Sequence, residues 1–414
     1  MKTVCFDPSA SGPLADVRIV DLSRLVSGNM VTHVLADMGA DVVKIEHPTK
    51  GDDLRKWRVE EAEVFWDIYA RNKRSVALDL KAPKEMEFLH RLIRHAHAVV
   101  ENFTPGTMEK LGLSPEFLLE LNPKLVIVRI SGWGQTGSAR NKPGFGTLVE
   151  AMSGYAHLNG FADRPPALPP LATADMITGL YGAFSLLTAL RVAEKPQGRG
   201  QVIDVSLFEP IFSFISTEAA QFTITGQTTS RAGNQSTHTA PRNVYECSDG
   251  KYVALSGAMQ SMTERLFHTI ERPELIDDPR FRTNDERVVH RDALDEIIGE
   301  FISRRTQDEN LVLFSAANVT VGPIRSVPEL LEDPFVLSRE VVIQATNRQG
   351  RTLPMHNIVP RMSVTPGVFK RCAPAIGEHN TEVLQELEAL ERQRDTAQAR
   401  SGPLPAPTTE TARV

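Results

Sequence analysis

The apolar positions of this chain fall into short runs whose period alternates between two kinds. Val17 to Asp21 (VRIVD) reads as a buried strand. Met30 to Met38 (MVTHVLADM) has helical spacing and stops at Gly39, a natural helix terminator. Asp41 to Glu46 (DVVKIE) is strand again, closed by Pro48 and Gly51, so the first fifty residues predict a βαβ unit. The alternation continues with Ser75 to Leu80, a helix from Lys84 to His95, a strand Ala98 to Glu101, a helix through Leu121, and a strand Val126 to Ile130 followed by the glycine-rich GWGQTG. Strands that alternate with helices predict an α/β domain with a largely parallel sheet, whose ligands sit at the carboxyl ends of the strands, where the loop VENFTPG is placed.

Downstream, Pro170 to Ala193 carries one acid, Asp175, among small and apolar neighbours, and Asp175 is the only charged residue between Arg164 and Arg191. Met176, Ile177, Leu180, Ala183, Phe184, Leu187 and Leu190 recur at helix-face spacing, so Asp175 is expected to open a helix. Two readings stand side by side. Such an acid is either an N-terminal cap that accepts backbone N–H bonds, or a carboxylate held in apolar surroundings as a nucleophile. After a turn into a strand near Val205 and an apolar helix over Ser206 to Thr217, residues 222 to 242 turn polar and rich in Thr, Ser and Gly, which predicts a linker or mobile loop. Asn243 to Glu246 and Tyr252 to Leu255 predict a hairpin. Helices are expected over Ser261–Ile270, Arg291–Ser303 and Gln307–Ala317, giving a small α+β domain. Strand-like runs cover Val341–Gln344 and Pro360–Ser363, and Glu378–Arg392 has helical spacing. Residues 393–414, with almost no apolar bulk, are expected to be disordered.

Bulk properties narrow the chemistry. The chain has 414 residues and a formal net charge of −6, which gives no global field for nucleic acid or anionic membranes. No apolar run reads as a membrane span and the N-terminus lacks a signal core, so a soluble cytoplasmic protein is expected. Three scattered cysteines without a CxxC pair, and histidines without ligand spacing, predict neither disulfide nor metal. The turn LSRLVSGNM carries a single glycine, Gly28, where a dinucleotide fingerprint needs three, which argues against classical NAD binding.

Taken in order, DLSRLVSGN, LADMGADVVKIEHP, RNKRSVALDLK, VENFTPGTMEKLG, ADMITGLYGAFSLLTALR, GRGQVIDVSLFE and VGPIRS resemble the family III CoA-transferases over about Leu14 to Leu387. The resemblance implies a Rossmann-like large domain with a parallel sheet made from both ends of the chain, a smaller α+β domain inserted between, and an interlocked ring-shaped homodimer. On that reading residues 1–221 form the first part of the large domain, 222–325 the linker and small domain, 326–392 the return, and 393–414 the tail. It also implies that Asp175 is the catalytic nucleophile. The activity implied is transfer of CoA from a donor acyl-CoA, succinyl-CoA by family habit, to a free carboxylic acid. CoA thioesters would be substrates, with no permanently bound cofactor. CoA contacts carried over by position are Leu25, Val26, Leu78, Lys81, Asn102, Phe103 and Lys110, with His47 where relatives have Arg. Ser256-Gly257-Ala258 stands where formyl-CoA transferase has a glycine-rich active-site loop. The acyl-CoA racemase branch pairs the aspartate with a His at the position of Phe145, a residue that cannot exchange a proton. A racemase, or a CoA-binding protein without catalysis, is the alternative reading.

Overall fold

The computed structural model describes residues 1–401, and residues 402–414 lie outside the described residues. By contacts the chain forms two units. One comprises Lys2–Gly144, Asp175–Leu207 and the chain from Ile343 onward, and the other Phe145–Ala174 and Phe208–Val342.

The larger unit is built on a six-stranded parallel sheet. In chain order β1 is Lys2–Val4, β2 Arg18–Asp21, β3 Asp41–Glu46, β4 Arg74–Ala77, β5 Ala98–Glu101, β6 Val126–Ser131 and β7 Gln201–Ser206. The sheet order is β4-β3-β2-β5-β6-β7, so the winding reverses between β2 and β5. Ile19 faces Val42 on one side and Ala98 on the other, and Val128 faces Ile203. Strands buried on both faces explain why the runs are nearly continuous Val and Ile rather than alternating. On one face Val20, Val43, Val76, Val99 and Ile127 pack with Leu89, Leu92 and Leu118 and with Val383 and Leu387 of the last helix, Asn380–Ser401. That helix is tied to the sheet by Arg74, which reaches Glu382 and Glu386 at 2.9 and 2.7 Å, and by Arg18, which reaches Glu386 at 2.7 Å. The helix runs on through Ser401, so residues 393–401 of the expected tail are helical, and its remainder, 402–414, lies outside the described residues.

The opposite face carries the helices Ser27–Asp37 and Thr173–Ala193. Two glycines make their contact possible. A Cβ on Gly179 would lie 2.5 Å from Met30 Cβ and one on Gly182 2.7 Å from Val31 Cγ2. The sequence reading expected no membrane-length apolar run, yet Thr173–Ala193, 21 residues long, satisfies length and composition for one. Ala183, Leu186, Ala189 and Leu190 on it are buried, as in the core helix of a globular unit. Asp175 was expected to open this helix, but the helix begins two residues earlier, at Thr173.

In the smaller unit β8 (Arg242–Glu246) and β9 (Tyr252–Ser256) form the expected hairpin, extended by β10 (Val321–Pro323) into an antiparallel sheet of order β10-β9-β8. Val253, Leu255, Phe267, Phe281, Leu294, Ile298 and Phe314 form its core. The helix expected to stop near Thr217 runs from Phe208 to Thr225, so residues 222–225 are its last turn and not linker. Strand β11 (Val342–Thr346) lies beside β1 and next to β12 (Thr352–His356). The run Pro360–Ser363 is irregular: Pro360 has no N–H to donate, and the strand lies upstream.

Candidate active site

Four parallel strands end around one cavity of about 290 Å³ in the larger unit. Leu22, Ser23 and Arg24 follow β2, Glu46 and His47 close β3, Leu78 to Lys81 follow β4, and Phe103 follows β5. The cavity thus spans the point where the winding reverses, the crevice in which open parallel sheets bind ligands. Leu78, Leu80, Phe103 and Leu111 supply apolar wall that suits a flat apolar group, and the basic side chains Arg24, His47, Lys50 and Lys81 line the cavity alongside the acids Glu46, Asp52, Asp53 and Asp79.

Of the residues carried over by position, the structure brings His47, Leu78, Lys81 and Phe103 to this cavity. His47 Nδ1 lies 3.2 Å from the N–H of Thr49, which can donate to it and leave Nε2 to carry the ring proton. Leu25, Val26, Asn102 and Lys110 are not among the lining residues. Asn102 bonds the neighbouring loop: its Oδ1 accepts the Arg24 N–H at 2.8 Å and its Nδ2 donates to the Arg24 carbonyl at 2.7 Å. It braces the loop after β2 from the loop after β5. Leu25 is held with φ +59°, a conformation uncommon for a residue with a side chain, and its N–H donates to Asp52 Oδ1 at 3.0 Å. Val26 is buried at the start of the Ser27–Asp37 helix, and Lys110 is exposed at the end of Thr107–Lys110.

Sequence reasoning missed Arg24, whose guanidinium stands 5.2 Å from the Phe103 ring centroid, and Lys50. Both follow strand ends by a few residues, and that position was the available signal. The loop bearing Phe103 is fixed from below by Glu101, which accepts the Phe103 N–H at 2.7 Å and the Arg129 Nε at 2.7 Å. Burial pushes the Glu101 carboxyl up, against the bonds from Arg129 and the Phe103 N–H.

Asp175 is half-buried in the first turn of its helix. One turn later Gly179 meets the Ser27 carbonyl and Met30, in the first turn of the helix that starts beyond β2. Both helices therefore begin at the carboxyl edge of the sheet, the edge that holds the cavity. The N–H of Ala174 is met by the buried Glu150 at 3.0 Å, so a separate carboxylate caps this turn. Phe145 is exposed at the start of Gly146–Met152, and His157 contributes its carbonyl to Arg231. Among the described residues no group of three His, Cys, Asp or Glu side chains converges as a metal-ligand set.

A parallel α/β sheet with a cavity at its winding reversal is the place where folds of this class bind nucleotide-type ligands. The comparisons make it specific: the model of CoA-transferase family III matches residues 14–380, and the chain belongs to that family. It is 36% identical over 381 residues to succinyl-CoA–D-citramalate CoA-transferase of Chloroflexus aurantiacus, covering 91% of this chain and 94% of that one. It is 34% identical to succinate–glutarate CoA-transferase of Agrobacterium fabrum, over 93% and 98% of the two chains. The crystal structure of a CAIB/BAIF family protein from Brucella suis superposes with a TM-score of 0.80 at 31% identity, covering 91% of this chain and all of that one. The protein is a CoA-transferase whose substrates are CoA thioesters and carboxylates.

Proposed function

We propose that Asp175 is the covalent nucleophile of this transferase and that succinyl-CoA is its donor. The observation that carries the reading is the placement of Asp175: a carboxylate in the first turn of an apolar helix, pinned through Gly179 at the sheet edge that holds the cavity. Its oxygen attacks the thioester carbonyl, forming an anhydride C–O bond as the C–S bond breaks and CoA leaves as thiolate. The thiolate then attacks the aspartyl carbonyl, forming the aspartyl-CoA thioester and releasing the donor acid as carboxylate. The acceptor carboxylate repeats both steps in reverse order. One thioester and one carboxylate are exchanged for another such pair, so the reaction is near-balanced, and the protein's work is to position the groups and keep water from the anhydride.

His47, Lys81, Arg24 and Phe103 serve the nucleotide end of CoA, Leu78 its apolar wall, and the Leu25–Val26 turn the chain leading to the thioester. Lys110 supplies outlying positive charge. Asn102 acts by holding Arg24. Phe145 argues against racemase chemistry, since a phenyl ring cannot carry the second proton. Leu180, Phe184 and Leu187 lie on one exposed stripe of the Asp175 helix, Phe184 69% exposed, and a second copy of this chain covers it in the proposed homodimer. A relative at 36% identity is the beta subunit of a succinyl-CoA–L-malate CoA-transferase, so hetero-assembly is the outcome to test against. Three free cysteines and a thiol product suit the reducing cytoplasm.

The test is intact-mass analysis after succinyl-CoA and then hydroxylamine, run beside Asp175→Ala. A hydroxamate on Asp175, absent from the variant, is the expected result. An unmodified Asp175 across several acyl-CoA donors would overturn the nucleophile assignment.

A further inference from the structure

Beneath the cavity lies a cluster of charged groups that catalysis as described does not use. Lys44 and Lys73 are both fully buried, as are Asp21 and, within 2%, Asp52. Lys44 Nζ donates to Asp21 at 3.2 Å, to Asp52 at 2.9 Å and to the Ser23 carbonyl. Lys73 Nζ donates to Asp21 at 3.2 Å, to the Asn29 carbonyl at 3.1 Å, to Asn29 Oδ1 at 2.9 Å and to Thr32 Oγ1 at 2.7 Å. Asp21 accepts the Ser23 N–H and hydroxyl, and Asp52 accepts the Leu25 N–H and the Asn29 amide at 2.8 Å, while Asn29 Nδ2 also reaches the Leu25 carbonyl at 2.6 Å. Two cations balance two anions, and beyond the three ion pairs every bond named ends on the stretch from Ser23 to Thr32.

Burying four charges is costly, and a well-packed apolar core of the same volume would be as stable or more so. What the charges provide is directional hold on a backbone that does not otherwise stay put, because Leu25 sits at positive φ between a strand end and a helix start. We infer that Lys73 is a positioning residue for acyl-CoA, acting through Asn29 and Thr32 to fix the Leu25–Val26 turn. This rests on the transferase reading, in which that turn meets the substrate. Lys73 is not itself among the residues lining the cavity, so its effect reaches the ligand only through the turn.

The test compares three variants with the wild-type chain. Lys73→Met removes the amine at constant length. Lys73→Met/Asp21→Asn restores charge balance and keeps the cluster foldable. Leu89→Ala removes a fully buried side chain that bonds to none of the cluster and packs on the sheet face opposite the Ser27–Asp37 helix, and it reports on stability loss. The readouts are the calorimetric Kd for CoA, the KM for succinyl-CoA, kcat, and Tm. The double variant should bind CoA about tenfold more weakly and show a similar rise in KM for succinyl-CoA, with the KM for the acceptor acid unchanged. Leu89→Ala should lower Tm and leave Kd as it is. A double variant that binds CoA as tightly as the wild type overturns the assignment while leaving the transferase reading intact, and so does a Kd that weakens equally in Leu89→Ala. A wild-type protein that binds no CoA at all overturns both.

Discussion

Replacing Gly179 by Ala adds one methyl group at the contact that places Asp175. The new Cβ would lie 2.5 Å from Met30 Cβ, 2.6 Å from Met30 Cγ and 3.1 Å from the Ser27 carbonyl oxygen. Two of these contacts involve groups close to the backbone, so rotating the Met30 side chain relieves Cγ but not Cβ or the carbonyl. Relief requires the two helices to part by roughly 1 Å at this level, since carbon atoms prefer about 3.5 Å or more. Overpacking of this kind costs about 1–3 kcal/mol, and the better helix propensity of Ala returns about 1 kcal/mol, so the net loss of stability is about 0–2 kcal/mol. The effect on the reaction is larger. Asp175 stands one turn before Gly179 and moves with it, and a displacement of about 1 Å from attack geometry costs on the order of 100-fold in rate. The assay is single-turnover release of CoA from succinyl-CoA, with Tm and the Kd for CoA measured on the same preparation. The expected result is a rate about 100-fold lower with Tm only slightly changed and CoA binding retained. Gly182→Ala is the control: its Cβ meets the tip of Val31, a softer contact two turns from Asp175, and its rate should fall far less. A Gly179→Ala protein turning over within threefold of wild type would refute the claim that this helix contact sets the nucleophile.

Three further outcomes follow from the same geometry. Arg55→Met removes the partner of Glu46, which Arg55 meets at 2.8 and 2.9 Å while also donating to the Pro374 carbonyl and stacking 3.7 Å from the Trp66 ring centroid; urea unfolding should show a loss of about 3–5 kcal/mol, and an unchanged midpoint would contradict it. His47→Arg places a guanidinium fork at the cavity and should tighten CoA binding about fivefold by calorimetry; an unchanged Kd would show that this position does not meet phosphate. Burial holds the Lys73 amine down at about 8, with Asp21 and Asp52 pulling it up and Lys44 pushing it down. As pH rises through 8 the folded chain releases this proton before the unfolded chain does, so this group alone makes the protein more stable between about 8 and its free value of 10.5. CoA affinity should nevertheless fall over that range in the wild type and less so in Lys73→Met/Asp21→Asn; parallel curves would detach Lys73 from binding.

The division between what could be read from the chain and what could not follows the range of the forces involved. The parallel sheet was legible because a strand covered on both faces must be apolar nearly throughout, and VRIVD, DVVKIE and VIVRIS carry that requirement locally. Helix ends were less legible. Nothing within a few residues of Asp175 announces that the helix begins at Thr173, because the group meeting the Ala174 N–H is Glu150, more than twenty residues away. Likewise Thr225 extends the preceding helix through a stretch whose Thr and Ser content suggested a linker, since β-branched polar residues on an exposed helix face satisfy themselves by bonding back to carbonyls four residues earlier, as Thr223 and Thr225 do. The apolar stripe of Leu180, Phe184 and Leu187 was legible as a helix face but not as an exposed one.

The site shows the same limit more sharply. Lys73 and Arg74 lie side by side in the run RNKRSVALDLK, where sequence alone leaves a solvated basic face and a phosphate-binding cluster equally open. In the fold Lys73 is wholly buried against Asp21, and Arg74 binds Asp41 at 2.7 Å and Glu386, so neither faces a ligand. Asn102 was read as a ligand contact, and its bonds to the Arg24 backbone add a loop-holding role that the sequence did not announce. These residues are separated from their partners by 33 to 312 positions, and only the sheet brings them together. A motif match can say that a residue belongs to the machinery without saying whether it touches the substrate or holds what does. For Lys73 the hydrogen bonds decide it: a wholly buried amine whose donors are all spent on Asp21, Asn29 and Thr32 has none left for CoA, whereas Asn102 keeps a free lone pair on its Oδ1 beside its bonds to Arg24.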